Sequence, residues 1–495
     1  MSSLELYPQD EKLPRGEHVA FNLYMITALL LFVLMMLLGL TMRMTQANWA
    51  PVQAAMFYQI MTMHGAGMVG TMSLASTAVM WFFLRKYVSL HLWAFLSNYL
   101  LFMLGALCII GAVFVGGFAS AWTFLYPLPV HSMGLWSNHA AALFMVGYLL
   151  IGVGMLIFYL DAAAAIIKRY GNLGRGLGLQ WLFRGTIDPA HPKAVVASTM
   201  VIIANSLGIL AGAVVLVMCL INAYAPDVAL NALVVKNLIY WFGHMIINAT
   251  IYMGVIAVYE LLPRYTGKPY PMARPFLWSW AVSTVFVIIV FPHHLLMDYA
   301  EPRWMLVMGQ IISYAAGFPV FLVTAYGVLK NIHRSGLRWK MPSMLAVLAL
   351  FGWAAGIVPA IIDGTISVNR VMHNTQWVPG HFHFYLLLGV LPMILTLLYH
   401  VVGSRQRAPA NSGTDRVGLL LYVVGGICFC MVFLYAGHMS VARRFASHLP
   451  EWIAYDRAGS VAAMVVILGM LLFATRIIAG LLKAPVDADP AHPAA

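Results

Sequence analysis

Twelve long apolar runs constrain the fold of this chain more than any other feature. An α-helix needs about 20 mostly apolar residues to cross the hydrocarbon of a bilayer, where its backbone groups must be satisfied internally. The runs fall near residues 20–42, 56–83, 91–118, 137–165, 193–222, 230–262, 274–297, 303–330, 342–364, 377–402, 416–437 and 459–483. The sequence therefore predicts an all-α integral membrane protein, a bundle of twelve transmembrane helices.

The composition excludes a soluble domain of this length. Of 495 residues, 62% are hydrophobic and only 9% are charged, far from the balance of a globular domain in water. The net charge of +12 comes from cations spread through short loops, so it does not indicate nucleic acid binding. Membrane lipid is the expected surrounding of the chain.

The loop cations predict an orientation. Lysine and arginine are concentrated before the first run and after the even-numbered runs; those after run four are Lys168, Arg169, Arg175, Arg184 and Lys193. Because cytoplasmic loops carry an excess of cations, both termini are expected in the cytoplasm. Segment 1–19 lacks the apolar core of a signal peptide, and the Pro/Ala-rich tail 484–495 is expected to be disordered. Residues 20–483 then form one twelve-helix domain.

The four cysteines, Cys108, Cys219, Cys428 and Cys430, all fall inside apolar runs. They are interpreted as small core residues rather than disulfides or metal ligands. The sequence contains no C-x-x-C-H haem attachment motif and no cysteine-rich copper domain. If the protein handles electrons, a partner must deliver them.

Six of the seventeen histidines stand out by their setting in the sequence. They are His64, His244, His293, His294, His381 and His383. An ionisable side chain inside a membrane is costly, so it is a functional hypothesis by default. A single one, such as His64 alone, would more often be a hydrogen-bonded structural residue. Six on four helices favour a shared function.

The spacing of these histidines predicts how they group. Residues two apart on an α-helix project about 200° from each other, so His381 and His383 are expected to hold two different cofactors. His293 and His294 follow Pro292, which disrupts helical hydrogen bonding and lets adjacent imidazoles converge. With His244 they form a candidate three-nitrogen site. Neutral imidazoles suit copper, iron or zinc, and three ligands leave a position open for chemistry.

On these residues the chain resembles the catalytic subunit of the haem-copper oxidase superfamily, across essentially all twelve helices. The resemblance implies that His64 and His383 are the axial ligands of a low-spin haem. It implies that His381 is the proximal ligand of a high-spin haem on the other side of the helix. The remaining ligands, His244, His293 and His294, would hold a copper ion opposite that haem's open face.

Smaller features support the same resemblance. The stretch "SAWTFLYPLP" is similar to the family's loop after helix three, and "ARRF" supplies Arg443 and Arg444, which in relatives bind haem propionates. Two guanidinium groups suit carboxylates; the alternative is a solvated loop or a lipid headgroup contact. His373 stands eight residues before His381, as in the family. It is expected to contact a propionate or an ion, or to cap the approach to the helix.

One position separates the two chemistries of the family. In most oxidases a tyrosine, linked to the copper-ligand histidine of helix six, stands four residues after it and supplies an electron to O2. Here that position is Asn248, and the alternative helix-seven position offers only Phe286 and Val287. Tyr252 lies about 12 Å along the helix from His244, too far to take that role. The missing tyrosine favours reduction of NO, which needs two electrons, over reduction of O2.

Asn248 also departs from the known nitric oxide reductases, which carry a glutamate at this position beside a non-haem iron. Three imidazoles without a carboxylate favour copper over iron. Asn248 itself would donate a hydrogen bond to bound NO or to a hyponitrite-like species. Its alternative role is helix packing through a backbone carbonyl.

Proton supply is predicted along helices six and eight. The candidate residues are Tyr259, Glu260, Ser313, Tyr314 and Thr324. However, Val320 follows Pro319 where oxidases often carry Ser or Thr, which leaves a gap in an inward route. Uptake from the outer side is the alternative, and Glu260 would then be an ordinary solvated helix end.

The expected function is that of a respiratory, denitrifying nitric oxide reductase in the inner (cell) membrane of a bacterium or archaeon. It would use two b-type haems and one copper ion, with non-haem iron as the alternative metal. Electrons would come from a copper-A or cytochrome c type subunit; no quinol site can be named. A terminal oxidase that reduces O2 is the first alternative. A twelve-helix transporter with histidine proton relays is the second.

Overall fold

The computed structural model describes residues 13–406 and 411–483. Most of the expected N-terminal segment (1–12) and the whole expected tail (484–495) therefore lie outside the described residues. Twelve helices in the described part are long and apolar enough to cross a membrane. The prediction of twelve spans and an all-α fold is confirmed.

We number the spans α1 to α12 in chain order. Their bounds are Arg15–Gln46, Ala54–Leu84, Leu92–Val115, Asn138–Tyr170, Lys193–Tyr224, Ala232–Thr266, Arg274–Leu295, Arg303–Ile332, Met341–Asp363, Trp377–Arg405, Gly413–His438 and Pro450–Leu482. Among the described residues the only β-type pairing is an isolated bridge between Thr375 and Ala442. We call the end of the bundle that carries Arg443 and Arg444 the outer end.

Two helix ends extend past the expected bounds and take in a buried charge. α1 continues to Gln46 rather than 42, and α12 begins at Pro450 rather than 459. Each added stretch contains a charged residue, Arg43 or Asp456, that the apolar runs exclude. Both side chains are buried and paired with each other at 3.0 Å, so the charges do not end the helices.

Local breaks in the helices lie at or beside the candidate ligand histidines. The regular part of α7 ends at Ile289, and Phe291–Leu295 forms a 3-10 turn that begins with Pro292 in its first turn. That turn carries His293 and His294, as the proline predicts. In α10 the helix widens into a π-turn at Leu386–Val390, just after the histidine pair.

Three of the four spans that carry the candidate ligands, α2, α6 and α10, lie deepest in the bundle. The most apolar part of α10 is completely buried, and those of α2 and α6 are 83% buried, whereas that of α8 is only 22% buried. α9 and α10 meet backbone to backbone, because a Cβ at Gly352 would contact the carbonyl of Leu388. The cysteines are all free, but Cys428 is exposed on the outside of the bundle rather than in the core. The core interpretation was wrong for that residue because α11 presents only one face to the bundle.

Candidate haem and metal centre

One central cavity collects the predicted ligands from four spans. The six histidines that the sequence singles out all line it: His64, His244, His293, His294, His381 and His383. The same cavity is also lined by residues of α1, α9 and α11, and by Arg443 and Arg444 of the loop before α12. Residues that are far apart in the sequence therefore face a single interior space.

Three of these histidines converge as a metal site requires. Nδ1 of His244 lies 3.1 Å from Nε2 of His294, which lies 3.0 Å from Nε2 of His293. Nitrogens bound to one tetrahedral ion at about 2.0 Å lie roughly 3.3 Å apart. Within the described residues they are the group identified as able to hold a metal ion. The donor set fits copper, because imidazole ligands suit that metal.

The hydrogen-bonding capacity of the cluster supports the same interpretation. In a neutral imidazole each ring nitrogen either carries a hydrogen and donates or carries a lone pair and accepts. Three such nitrogens that face one another therefore cannot all be satisfied by hydrogen bonds among themselves. A cation among them satisfies all three lone pairs. Nδ1 of His293 is buried and without a hydrogen bond from the described residues, which leaves its ring orientation set by packing.

Asn248 lies directly against this cluster. Its Nδ2 is 3.0 Å from Nε2 of His244 and donates to the backbone oxygen of His244, also at 3.0 Å. The i, i+4 spacing places both side chains on one face of α6. The amide thus occupies the space beside the ring nitrogen where the family resemblance would place a linked tyrosine.

His64 and His383 each have one ring nitrogen bonded to a backbone oxygen. In each, Nδ1 donates a hydrogen bond of 2.7 Å to a backbone oxygen, that of Met35 for His64 and that of Pro379 for His383. This fixes the tautomer and leaves the Nε2 lone pair available. Phe433 stacks on the His383 ring at 5.4 Å, nearly parallel. The pair fits a haem iron between two imidazoles.

His381 also lines the cavity, two residues before His383 on α10. Its Nδ1 is buried and accepts or donates no hydrogen bond among the described residues. Tyr385, one turn further along α10, packs edge-on at 6.1 Å between ring centroids. The ring is therefore held by packing rather than by a hydrogen bond.

Polar groups gather at the outer end of the cavity, as a haem with propionates requires. His373 Nδ1 lies 3.3 Å from Oδ2 of Asp363 and 3.2 Å from Nδ2 of Asn369. Arg443 and Arg444 line the same space. Burial, with a smaller contribution from Arg444, lowers the pKa of Arg443 to about 10, so it remains a cation at neutral pH. Its Nε is buried without a hydrogen bond, a donor that suits a carboxylate.

Tyr240 is a cavity residue that the sequence analysis missed. Its ring stacks on His294 at 5.8 Å with an angle of 23° between the planes. It stands four residues before His244, so the same i, i+4 rule that selected Asn248 could have found it. Tyr252 also lines the cavity, buried against Trp280 and Trp353, which agrees with a packing role.

The predicted proton-route residues fall into two groups. Tyr259 and Thr324 share a hydroxyl hydrogen bond of 2.6 Å, and Tyr87 donates to Glu260 at 2.8 Å, both toward the inner end. Burial, and then Glu260, raises the pKa of Tyr87. In contrast, the Tyr314 hydroxyl pairs with Thr365 near the outer end. Ser313 lines the cavity itself.

A family model described as cytochrome c and quinol oxidase polypeptide I matches residues 19–482, almost the whole chain. The chain belongs to the haem-copper oxidase subunit I family. Membership supports the interpretation of the cavity as a site for haem and copper, since the family implies these cofactors. Proteins of this kind work with further subunits and a gaseous substrate.

Relatives in this family are named oxidases. Cytochrome c oxidase subunit 1 of Thermus thermophilus is 26% identical over 387 residues, 72% of this chain and 67% of the relative. A haem-copper oxidase subunit I+III of Aeropyrum pernix is 22% identical over 78% of this chain. The chain spans only 47% of that longer protein.

The fold is also that of a solved haem-copper terminal oxidase dimer. Its chain superposes with a TM-score of 0.79 over 97% of this chain and 88% of its own length, at 18% identity. The chain therefore shares the fold of that oxidase chain. Neither the family nor these relatives favours NO over O2; their names favour O2.

Proposed function

We propose that this subunit is the catalytic part of a respiratory nitric oxide reductase that converts two NO molecules to N2O and water. The proposal assigns residues 20–483 to the catalytic domain, with both termini in the cytoplasm of a bacterium or archaeon. One observation carries it: Asn248, not tyrosine, lies 3.0 Å from Nε2 of the metal-ligand candidate His244.

The electron count explains why that residue matters. Reduction of two NO consumes two electrons and two protons, whereas reduction of one O2 to water consumes four of each. One haem iron and one copper ion can supply the two electrons for NO reduction without an electron from an amino acid. O2 cleavage at one site requires a further local donor, and an amide cannot be oxidised as a phenol can.

The site would hold its cofactors as follows. His64 and His383 would bind a low-spin b-type haem, His381 a high-spin b-type haem, and His244, His293 and His294 a copper ion. Three imidazoles without a carboxylate favour copper over non-haem iron. When bound, the high-spin haem and the copper would supply the electrons and the binding positions for the gas.

Asn248 would act on the substrate through its amide. If His244 held the copper through Nδ1, its ring proton would be on Nε2. A rotation of the amide then lets its oxygen accept that proton's hydrogen bond. Its NH2 group becomes available to an oxygen atom of the substrate, where a fixed donor stabilises developing negative charge.

The outer polar groups would hold the haems. Arg443 and Arg444 would bind propionates, and His373, beside Asp363, would contact a propionate or an ion. Tyr259, Glu260 and Thr324 would bring protons from the inner side, and Ser313 would deliver them to the cavity. Tyr314 would contribute only if its hydroxyl leaves Thr365. Electrons would enter from a copper-A or cytochrome c type partner.

Reduction of O2 to water is the second candidate. The relatives' names favour it, and two phenols, Tyr240 and Tyr252, line the cavity. Tyr240, stacked on His294, is the better placed electron donor. The transporter alternative loses its support, because the histidines converge on ligand positions in an enzyme family.

The test compares both gases on the purified complex with an artificial reductant. We expect NO consumption to exceed O2 consumption, with N2O as product. Asn248→Ala should lower NO turnover roughly 100-fold, the effect of deleting one fixed donor to a developing oxyanion, while copper content is retained. Asn205→Ala is the matched control, since that buried amide bonds Tyr159 away from the cavity. O2 turnover without N2O formation would overturn the proposal.

A further inference from the structure

A buried charged chain lies at the outer end, between α1, α12 and the loop before α12. Arg43 Nη2 is 3.0 Å from Oδ1 of Asp456, and Oδ2 of Asp456 accepts from Nδ1 of His448 at 2.7 Å. The side chains of Asp456 and His448 are 0% exposed and that of Arg43 is 5% exposed. We call these three residues the Arg43 chain.

The guanidinium of Arg43 is fixed from several directions. Its Nη1 donates to Oε1 of Gln46 at 2.9 Å and to Oε1 of Gln376, just before α10, at 3.0 Å. A Cβ at Gly459 would lie only 2.8 Å from Nη2, so α12 leaves space for the group by having no side chain there. The cation therefore has one defined position.

That position is beside the low-spin haem ligands. Arg43 lines the central cavity with His64 and His383, and its Cζ lies 4.8 Å from the centre of the Phe433 ring. Phe433 in turn stacks on His383. On α1, one turn before Arg43, a Cβ at Gly39 would come within 2.7 Å of the His64 ring. α1 therefore contacts His64 and also places the charge of Arg43 near His383.

Burying an ion pair is costly and seldom adds net stability compared with apolar packing. A fixed charge in a low-dielectric interior acts strongly on any neighbouring charge. A nearby cation disfavours the oxidised haem, which is more positive, and so raises its potential. A nearby carboxylate has the opposite effect. Arg43 and Asp456 therefore shift the potential of the haem in opposite directions.

We propose that Asp456, held by His448, is a positioning residue that fixes Arg43 at the edge of the low-spin haem and balances its charge, and so sets the reduction potential of that haem. The inference rests on the proposed function only for the haem between His64 and His383. It does not depend on whether NO or O2 is the substrate.

The test is a redox titration of the low-spin haem in the purified complex, without gas. Asp456→Asn should raise the midpoint potential, because Arg43 loses its counter-charge. Arg43→Gln should lower it, because Asp456 remains. Each shift should change the oxidised-to-reduced ratio at least tenfold, which is 59 mV for a one-electron couple. The double variant should lie between the two single variants.

Asp415→Asn is the matched control, since Asp415 is equally buried on α11 but bonds Tyr399 and Ser412 instead. It should leave the potential unchanged. If one of these two variants loses the low-spin haem, the midpoint potential is measured on the other variant. Shifts no larger than that of the control, or shifts of the same sign in both variants, would overturn the proposal. So would loss of that haem from both with the control intact, because the chain would then be only structural.

Discussion

His381 and His383 show how much single residues decide in this protein. Their spacing of two on α10 puts one imidazole on each side of the helix, and both line the cavity. Only His383 has a backbone partner for Nδ1, the carbonyl of Pro379. The two rings are therefore held differently, as ligands of two different haems would be.

Separate loss of the two haems is the prediction at this scale. His383→Ala should remove the low-spin haem bands and leave the high-spin bands, because His64 alone does not keep a six-coordinate iron. His381→Ala should do the reverse. Reduced-minus-oxidised visible spectra of the purified variants, with haem counted per chain, check this. Loss of both haems from each variant, with the chain still folded, would contradict the assignment.

The residues that the sequence predicted and those that it did not differ in a physical way. The six candidate ligand histidines could be predicted from the sequence because an ionisable group inside an apolar run is rare and expensive. Arg43 and Asp456 were not found because each lies at the end of a run, where a charge looks like the start of a loop. Only the fold shows that they neutralise each other. Tyr240 looked like an ordinary aromatic residue until its contact with His294 was known.

At the scale of helices, the close approach of α9 and α10 holds the histidine pair in place. A Cβ at Gly352 would contact the backbone of Leu388, within the π-turn that follows His383. The number of helices and the turn at Pro292 could be predicted from apolar length and from proline chemistry. The π-turn and the backbone contact could not, because both depend on the neighbouring helix.

Gly352→Ala should therefore push α9 and α10 apart. We expect the free energy of unfolding to fall by about 1–3 kcal/mol or more, the cost of forcing an extra carbon into a packed interior. Haem should also be lost at a lower temperature. Thermal scans followed by haem absorbance measure it. Gly413→Ala is the control, since nothing lies within 4 Å of a Cβ there. Equal stability of the two variants would mean that the helices adjust freely.

For the whole molecule, the side of proton uptake depends on which end of the bundle is connected to the cavity. Tyr259 and Thr324 form a hydroxyl pair toward the inner end. At the outer end, the buried carboxylate of Glu301 bonds Asn237. Sequence could name the first pair but not decide between the two ends, because connection through the bundle is a property of the assembled fold.

We predict that Tyr259→Phe slows turnover several-fold, because it removes the hydroxyl that Thr324 bonds. Tyr99→Phe is the matched control: Tyr99 forms the same kind of pair with Thr27, at 2.8 Å, away from the cavity. Turnover in vesicles, with a pH indicator on one side, gives both the rate and the side of uptake. Equal rates for the two variants, or uptake only from the outer side, would rule out the inner route.

The central claim is that this haem-copper oxidase relative, with Asn248 in place of a linked tyrosine, couples two NO molecules with two electrons. The most direct measurement mixes the fully reduced complex with ¹⁵NO under limiting electrons and counts the gas that is released. We predict one molecule of ¹⁵N2O for every two electrons withdrawn. Absence of ¹⁵N2O, while the same preparation reduces O2 completely to water, would contradict the claim.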